Sequence, residues 1–268
     1  MNQRKKLIKG FAQLREKQPL ILHLTNIVAM EEQAHITLAA GARPIMSDSS
    51  DEAKELASIA DALLLNIGMP NRDQMDSMKF ALEKAKERKI PVMLDPVGYG
   101  ASRIRNQIVD ELIQMGGISI IKGNSGEIAT LFGKKGAVSG VDSTLGQSDE
   151  IKQIVVQLSQ QKSITIAATG RQDYVANESH AAVLSGGSEL LTKVSGSGCM
   201  AGSLIACFMA AGLDPFYAGI AGILMMKIAA EKAEKRSLGS GLFSKIMIDE
   251  VFHFSESDFS LRGMIEWS

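Results

Sequence analysis

Ala62-Leu63-Leu64-Leu65-Asn66-Ile67-Gly68, then a helix-period run from Asn71 to Lys89, then Pro91-Val92-Met93-Leu94-Asp95-Pro96-Val97-Gly98: this stretch reads as two apolar strands joined through a helix. Neither apolar run alternates with polar residues, as expected of strands covered on both faces, and a helix between successive strands is the connection of a parallel sheet. The alternation continues in both directions. Strands are expected at Leu20–Leu24, Arg43–Met46, Ile118–Ile121 and Ile164–Ala168, with helices at Ala29–Ala40, Asp51–Ala60, Arg103–Gln114, Ser125–Phe132 and Asp149–Gln160. The fold class is therefore α/β, a central mainly parallel sheet flanked by helices on both faces.

After Ala168 the pattern changes. Asp173–Asn177, Ala181–Leu184 and Glu189–Lys193 read as a small antiparallel portion with tight polar turns, and Cys199–Ala211, Pro215–Arg236 and Ser240–Phe254 read as helices. With no internal repeat and no low-complexity linker, one domain over residues 1–268 is the economical organisation.

Composition narrows the partners. The 29 basic and 30 acidic residues leave a net charge of -1, which argues against a nucleic-acid footprint or an anionic membrane surface and for a small substrate. The two cysteines, Cys199 and Cys207, lie on one segment and cannot form a secreted-type disulfide framework, so a reducing cytoplasm is expected. The N-terminus is basic, but Leu7, Phe11 and Leu14 recur at helical spacing among Gln13, Arg15 and Glu16, an amphipathic helix and not a signal-peptide core. The late apolar region Ala218 to Ala230 is too short to span a bilayer. The protein is expected to be soluble.

In open parallel sheets ligands bind at the carboxyl ends of the strands, so the residues that follow each strand are the ones to inspect. They are Thr25-Asn26, Asn66-Ile67-Gly68, Asp95-Pro96-Val97-Gly98, Lys122-Gly123-Asn124-Ser125-Gly126-Glu127 and Thr169-Gly170. Asp95-Pro96 taken alone is also an ordinary turn opener, and Asn124 with Glu127 three residues later is also a helix capping box. Neither reading accounts for Lys122, a cation closing an apolar strand.

A second segment, Thr192-Lys193-Val194-Ser195-Gly196-Ser197-Gly198-Cys199-Met200, runs into a long apolar helix. Its glycines let backbone N–H groups turn toward an anion at the positive end of that helix, with a thiol at the tip; a flexible connector with a small buried cysteine is the plainer alternative. Together the pieces supply what phosphoryl transfer needs. Asp95 and Glu127 are carboxylates that can hold Mg²⁺, Lys122 is a cation for phosphate oxygens, and the Gly196 to Cys199 amides are backbone donors. The four histidines are scattered, and neither a Walker A motif nor a Gly-x-Gly-x-x-Gly after the first strand is present.

These motifs, with Pro44-Ile45-Met46 and Gly140-Val141-Asp142-Ser143, stand in an order and spacing that resemble the hydroxyethylthiazole kinases, a branch of the ribokinase-like superfamily. The cysteine that ends the glycine-rich loop, where the wider superfamily usually has aspartate, is the distinguishing mark. The resemblance implies ATP-dependent phosphorylation of the hydroxyl of 4-methyl-5-(2-hydroxyethyl)thiazole, for thiamine biosynthesis or salvage, by a homotrimer. It implies that Met46 and Gly196 contact the thiazole with Asn26 and Gly68 nearby. Lys122 and Thr169, with Asn124, would contact ATP, and Asp95 and Glu127 would organise Mg²⁺. Cys199 would lie beside the substrate hydroxyl in the catalytic loop of Gly196 and Gly198, orienting it and accepting its proton late. Lys122 stands where arginine is more common, keeping the charge but losing bidentate geometry. A related kinase for a hydroxymethylpyrimidine, or a binding protein that kept the pocket without turnover, are the alternative readings.

Overall fold

In the computed structural model, which describes residues 3–134, 148–260 and 264–267, each leucine of Ala62–Asn66 takes the opposite side from its neighbour. Leu63 and Leu65 enter one core and Leu64 the other, all fully buried. The same split holds for Val92 and Leu94 against Met93, for Ile121 against Ile120, and for Ile166 and Ala168 against Ala167. Successive side chains of a strand point to opposite faces, so a strand with a core on each side must be apolar throughout.

Strands β1 (Leu20–Leu24), β2 (Arg43–Ser47), β3 (Ala62–Asn66), β4 (Val92–Asp95), β5 (Ile120–Asn124) and β6 (Thr165–Thr169) are parallel. Strands β7 (Asp173–Ala176), β8 (Ala181–Leu184) and β9 (Ile265–Trp267) extend the sheet antiparallel, in the order β2-β1-β3-β4-β5-β6-β7-β8-β9. The helices are α1 (Gln3–Lys17), α2 (Met30–Ala40), α3 (Ala53–Ile59), α4 (Arg72–Arg88), α5 (Arg103–Met115), α6 (Ser125–Leu131), α7 (Ser148–Lys162), α8 (Ser197–Ala210), α9 (Pro215–Glu234) and α10 (Ser240–Phe252). Helices α1, α2, α8, α9 and α10 supply the core on one face, and α3 to α7 the core on the other.

From β1 the chain moves outward to β2 and then returns past β1 to β3, so the winding direction reverses between β1 and β3. The carboxyl ends of those two strands mark the position where doubly wound sheets bind ligands. Local signals set the helix starts that frame it. Asn71 caps α4 by accepting from Gln74 N, Ser102 caps α5 by accepting from Arg105 N, and Asp214 caps α9 by accepting from Phe216 N ahead of Pro215. Helices α8 and α9 pack so closely that a Cβ at Gly222 would lie 2.6 Å from the Ile205 backbone nitrogen.

One expected strand is corrected. Glu189–Lys193 is a 3₁₀ helix, started by Ser188, whose side chain accepts from Leu190 N. Gly186 and Gly187, both at positive φ (86° and 97°), turn the chain away from the sheet, and the place beside β8 is taken by β9 from the C-terminus. Strand β5 also runs on to Asn124, three residues past its expected end, so Lys122 lies within the strand. The C-terminal segment docks on the body: the Phe259 ring lies 5.0 Å from that of Phe254 and 6.0 Å from that of Phe11, and Trp267 pairs with Ala182. Leu261 lies outside the described residues. Among the described residues no helix is long and apolar enough to cross a membrane.

Candidate active site

Asn26, just past β1, and Asn66, the last residue of β3, meet, with Asn26 Nδ2 donating to Asn66 Oδ1 at 2.8 Å. Asn66 Oδ1 also accepts from Gly68 N at 3.0 Å, while its Nδ2 donates to Asp95 Oδ2 at 3.1 Å and to Cys199 Sγ at 3.2 Å. Asn26 Nδ2 lies 3.7 Å from the same sulfur, and Asn26 Oδ1 accepts from Ala29 N. A Cβ at Gly68 would lie 2.6 Å from Asn26 Nδ2, so any larger residue there must displace the Asn26 side chain.

Lys122 reaches into the same cluster. Its Nζ lies 3.3 Å from Asp95 Oδ2 and donates to the Gly198 carbonyl at 2.9 Å. Burial works against the ammonium, but the charge of Asp95, aided by Glu127, outweighs it and holds the Lys122 pKa above its ordinary value. Burial pushes the Asp95 carboxyl up, opposed by Lys122 and by the Asn66 amide. One oxygen of that carboxylate, Oδ1, is buried without a hydrogen-bond partner.

Asn124 and Glu127 do form the capping box at the start of α6, Asn124 Oδ1 accepting from Glu127 N and Glu127 Oε2 from Asn124 N. The box has a second function that spacing alone did not reveal. Glu127 Oε1 accepts from Gly98 N at 2.7 Å, so the carboxylate ties α6 to the loop that leaves Asp95. Burial, then the charge of Asp95, push the Glu127 carboxyl up. Thr169 pairs in register with Asn124 across β5 and β6 and donates to the Gly123 carbonyl at 3.3 Å.

Gly196 takes a left-handed conformation (φ 79°) as the N-cap of α8 and brings no side chain to the first-turn amides of that helix. A Cβ there would also press on that of Ala29, at 3.0 Å. The Ser197 N–H donates to the Val194 carbonyl at 3.4 Å, and the Gly198 and Cys199 amides that follow lie at the positive end of the helix. Cys199, in that first turn, is half-buried, and its carbonyl accepts from the fully buried Gln33 at 3.1 Å. Its helix-terminal position does not make it a thiolate. Burial pushes the thiol pKa up, the Asp95 charge adds to this, and Lys122, Asn66 and Asn26 oppose it without prevailing.

Of the residues singled out in the sequence, Asn26, Gly68, Asp95, Lys122, Gly198 and Cys199 join one cluster, and Glu127 with Asn124 connects to it through Gly98. Met46 lies near the end of β2, in register with His23, half-buried and outside the hydrogen-bonded cluster. Asp142 and Ser143 lie outside the described residues. Sequence reasoning noted Asn66 as a strand-end residue without giving it a role, and passed over Gln33 and Arg105. Arg105 donates to the carbonyls of Ile67, Gly68 and Val97 at 2.7 to 2.9 Å and so binds the β3 and β4 loops together. Its only sequence signal was a position just after the Ser102 cap.

A reversing parallel sheet here gathers carboxylates, a buried ammonium and a helix start at its switch point, groups suited to binding phosphate. A ribokinase-like superfamily protein from Enterococcus faecalis shares the fold, with a TM-score of 0.64 at 11% identity over 94% of this chain and 95% of that one. The model of the Hydroxyethylthiazole kinase family matches residues 11–257, and the chain belongs to that family. It is 39% identical over 253 residues to a hydroxyethylthiazole kinase of Caldivirga maquilingensis, covering 94% of each chain. Its likeness to the solved structure of a hydroxyethylthiazole kinase protein from Pyrococcus horikoshii has a TM-score of 0.90 at 32% identity, covering 98% of this chain and 99% of that one.

Proposed function

We propose that the protein transfers the γ-phosphoryl group of ATP to the hydroxyl of 4-methyl-5-(2-hydroxyethyl)thiazole, acting as a single-domain homotrimer in the cytoplasm. The observation that carries the reading is the cluster at the switch point: Asp95, Lys122 and Cys199 lie within hydrogen-bonding reach of one another's partners, in a chain of the hydroxyethylthiazole kinase family.

The donor set fits a divalent cation, and Mg²⁺ is the cation proposed. Asp95 Oδ1 is a buried oxygen with no partner, and the Glu127 carboxylate stands behind the same loop. Mg²⁺ is held through one or two carboxylates, with its remaining positions filled by phosphate oxygens and water. When bound, the ion would neutralise charge on the phosphates.

This chain's residues have distinct tasks. Lys122 offers a permanent positive charge to the transferred phosphoryl group, and the Gly198 and Cys199 amides at the start of α8 receive the charge that develops on it. Thr169 and Asn124, adjacent at the ends of β6 and β5, are assigned to ATP. Met46, Asn26, Gly68 and Gly196 are assigned to the thiazole. Cys199, protonated near neutral pH, orients the alcohol rather than deprotonating it early. The transition state is loose, so positioning and charge neutralisation carry most of the acceleration. Incubation with Mg²⁺-ATP and the thiazole alcohol should yield the thiazole monophosphate by mass spectrometry. Absence of that product with folded protein refutes the reading.

A further inference from the structure

Asn66 touches both the carboxylate and the thiol of the site, and the direction of its amide is settled by its neighbours. The Gly68 N–H can only donate, so the atom 3.0 Å from it is the Asn66 carbonyl oxygen and the amide nitrogen faces Asp95 and Cys199. Asn26 is settled in the same way, because its Oδ1 accepts from Ala29 N at 3.1 Å. Two N–H donors therefore converge on Cys199 Sγ, from 3.2 and 3.7 Å.

Every hydrogen-bonding position of the Asn66 amide is filled. The oxygen accepts from Asn26 and Gly68, and the nitrogen donates to Asp95 and Cys199. The side chain is fully buried, so water cannot replace a lost partner and rotation would break several bonds at once.

We propose that Asn66 is a positioning residue for phosphoryl transfer. It fixes the separation of Asp95 and Cys199 and holds the sulfur in one position, so that the thiol is set beside the alcohol oxygen of the substrate. The role rests on the phosphotransferase reading of this site. It ties orientation of the acceptor to the carboxylate side through one rigid amide, so that the alcohol, and not water, stands in line with the phosphoryl group.

Two variants test this in the full-length protein with Mg²⁺-ATP and the thiazole alcohol. Asn66→Leu keeps the shape and removes all four bonds. Asn66→Asp keeps the acceptors for Asn26 and Gly68 and replaces the donors to Asp95 and Cys199 with a carboxylate oxygen that repels Asp95, which preserves the test if the leucine variant does not fold. The expected result in either is a kcat lower by about 30-fold or more and fewer than one thiazole phosphate formed per ATP consumed, and in Asn66→Asp, which still holds Asn26 and Gly68, a KM for each substrate within about threefold of the parent. A purely structural asparagine would lower activity only in step with the folded fraction and leave the coupling ratio at one. That outcome, or a kcat within about threefold of the parent, overturns the role of Asn66 alone. A parent protein that forms no thiazole phosphate overturns this role together with the phosphotransferase reading.

Discussion

Lys122 Nζ lies 3.3 Å from Asp95 Oδ2 with the two side chains only 4% and 3% exposed, a buried ion pair at the centre of the site. Such a pair contributes little net stability, since the loss of solvation offsets the attraction, but removing one partner strands the other charge at a cost of about 3–5 kcal/mol. Lys122→Met should therefore lower the melting temperature and reduce kcat/KM for ATP by at least about 10²-fold. Melting curves and initial rates at varied ATP check this, and a variant with the parent's ATP dependence would remove Lys122 from phosphate binding.

Two glycine substitutions should separate function from stability. At Gly68 an added Cβ would meet the Asn26 side chain, at 2.6 Å from Nδ2, and that side chain can move. Gly68→Ala should raise KM for the thiazole by about tenfold with little change in melting temperature. At Gly222 the obstacle is the Ile205 backbone nitrogen, also at 2.6 Å, which cannot yield without separating α8 from α9. Gly222→Ala should cost about 1–3 kcal/mol in denaturant unfolding while substrate KM values hold. Equal effects on both readouts would contradict the assignment.

His23 is buried and neutral, its pKa lowered by burial to about 4, against a carbonyl acceptor at Ile21 and the Ser203 hydroxyl 3.1 Å from Nε2. The unfolded chain binds its proton more readily, at the ordinary value of 6.5, so the stabilising contribution is complete above pH 6.5 and is lost as pH falls toward 4. The loss should approach about 3 kcal/mol. The buried carboxyls Asp95, Glu127 and Asp173 are shifted up and act in the opposite sense, so the parent curve alone mixes the two. The difference between parent and His23→Gln, followed by unfolding from pH 7 to pH 4, isolates the histidine; a difference that does not change with pH would disprove it.

Because burial holds the Cys199 thiol protonated, iodoacetamide should modify the native protein at neutral pH more slowly than it modifies an unstructured cysteine peptide. Cys199→Ala should lower kcat by about 10 to 10²-fold, and Cys199→Ser, which keeps a donor and an acceptor, should lose less. Rapid alkylation, or an alanine variant with full turnover, would remove the thiol from the orienting role.

Much of this fold was legible because its signals are local. Apolar runs without alternation marked the strands, helical periodicity placed α4 and α5, and the capping box of Asn124 and Glu127 marked the start of α6. The exception shows where local information ends. Glu189–Lys193 has the composition of a strand, but its place at the edge is taken by Ile265–Trp267, some seventy positions later, and Gly186-Gly187 turns the chain away.

For the site, the sequence by itself determined the inventory: Asn26, Asp95, Glu127 and the Gly196 to Cys199 loop stand at strand or helix ends, where a parallel sheet binds ligands, and Lys122 stands two residues before the end of β5. Only the tertiary structure decided how these groups bond. Cys199 meets Asn66 from 133 positions away, and the direction of the Asn66 amide follows from the backbone N–H of Gly68. Whether the thiol is charged depended on the balance of burial, Asp95 and Lys122, and that balance went against the thiolate. Residue order sets which side chains reach the switch point, whereas hydrogen-bond polarity and protonation depend on distances between segments that only packing brings together.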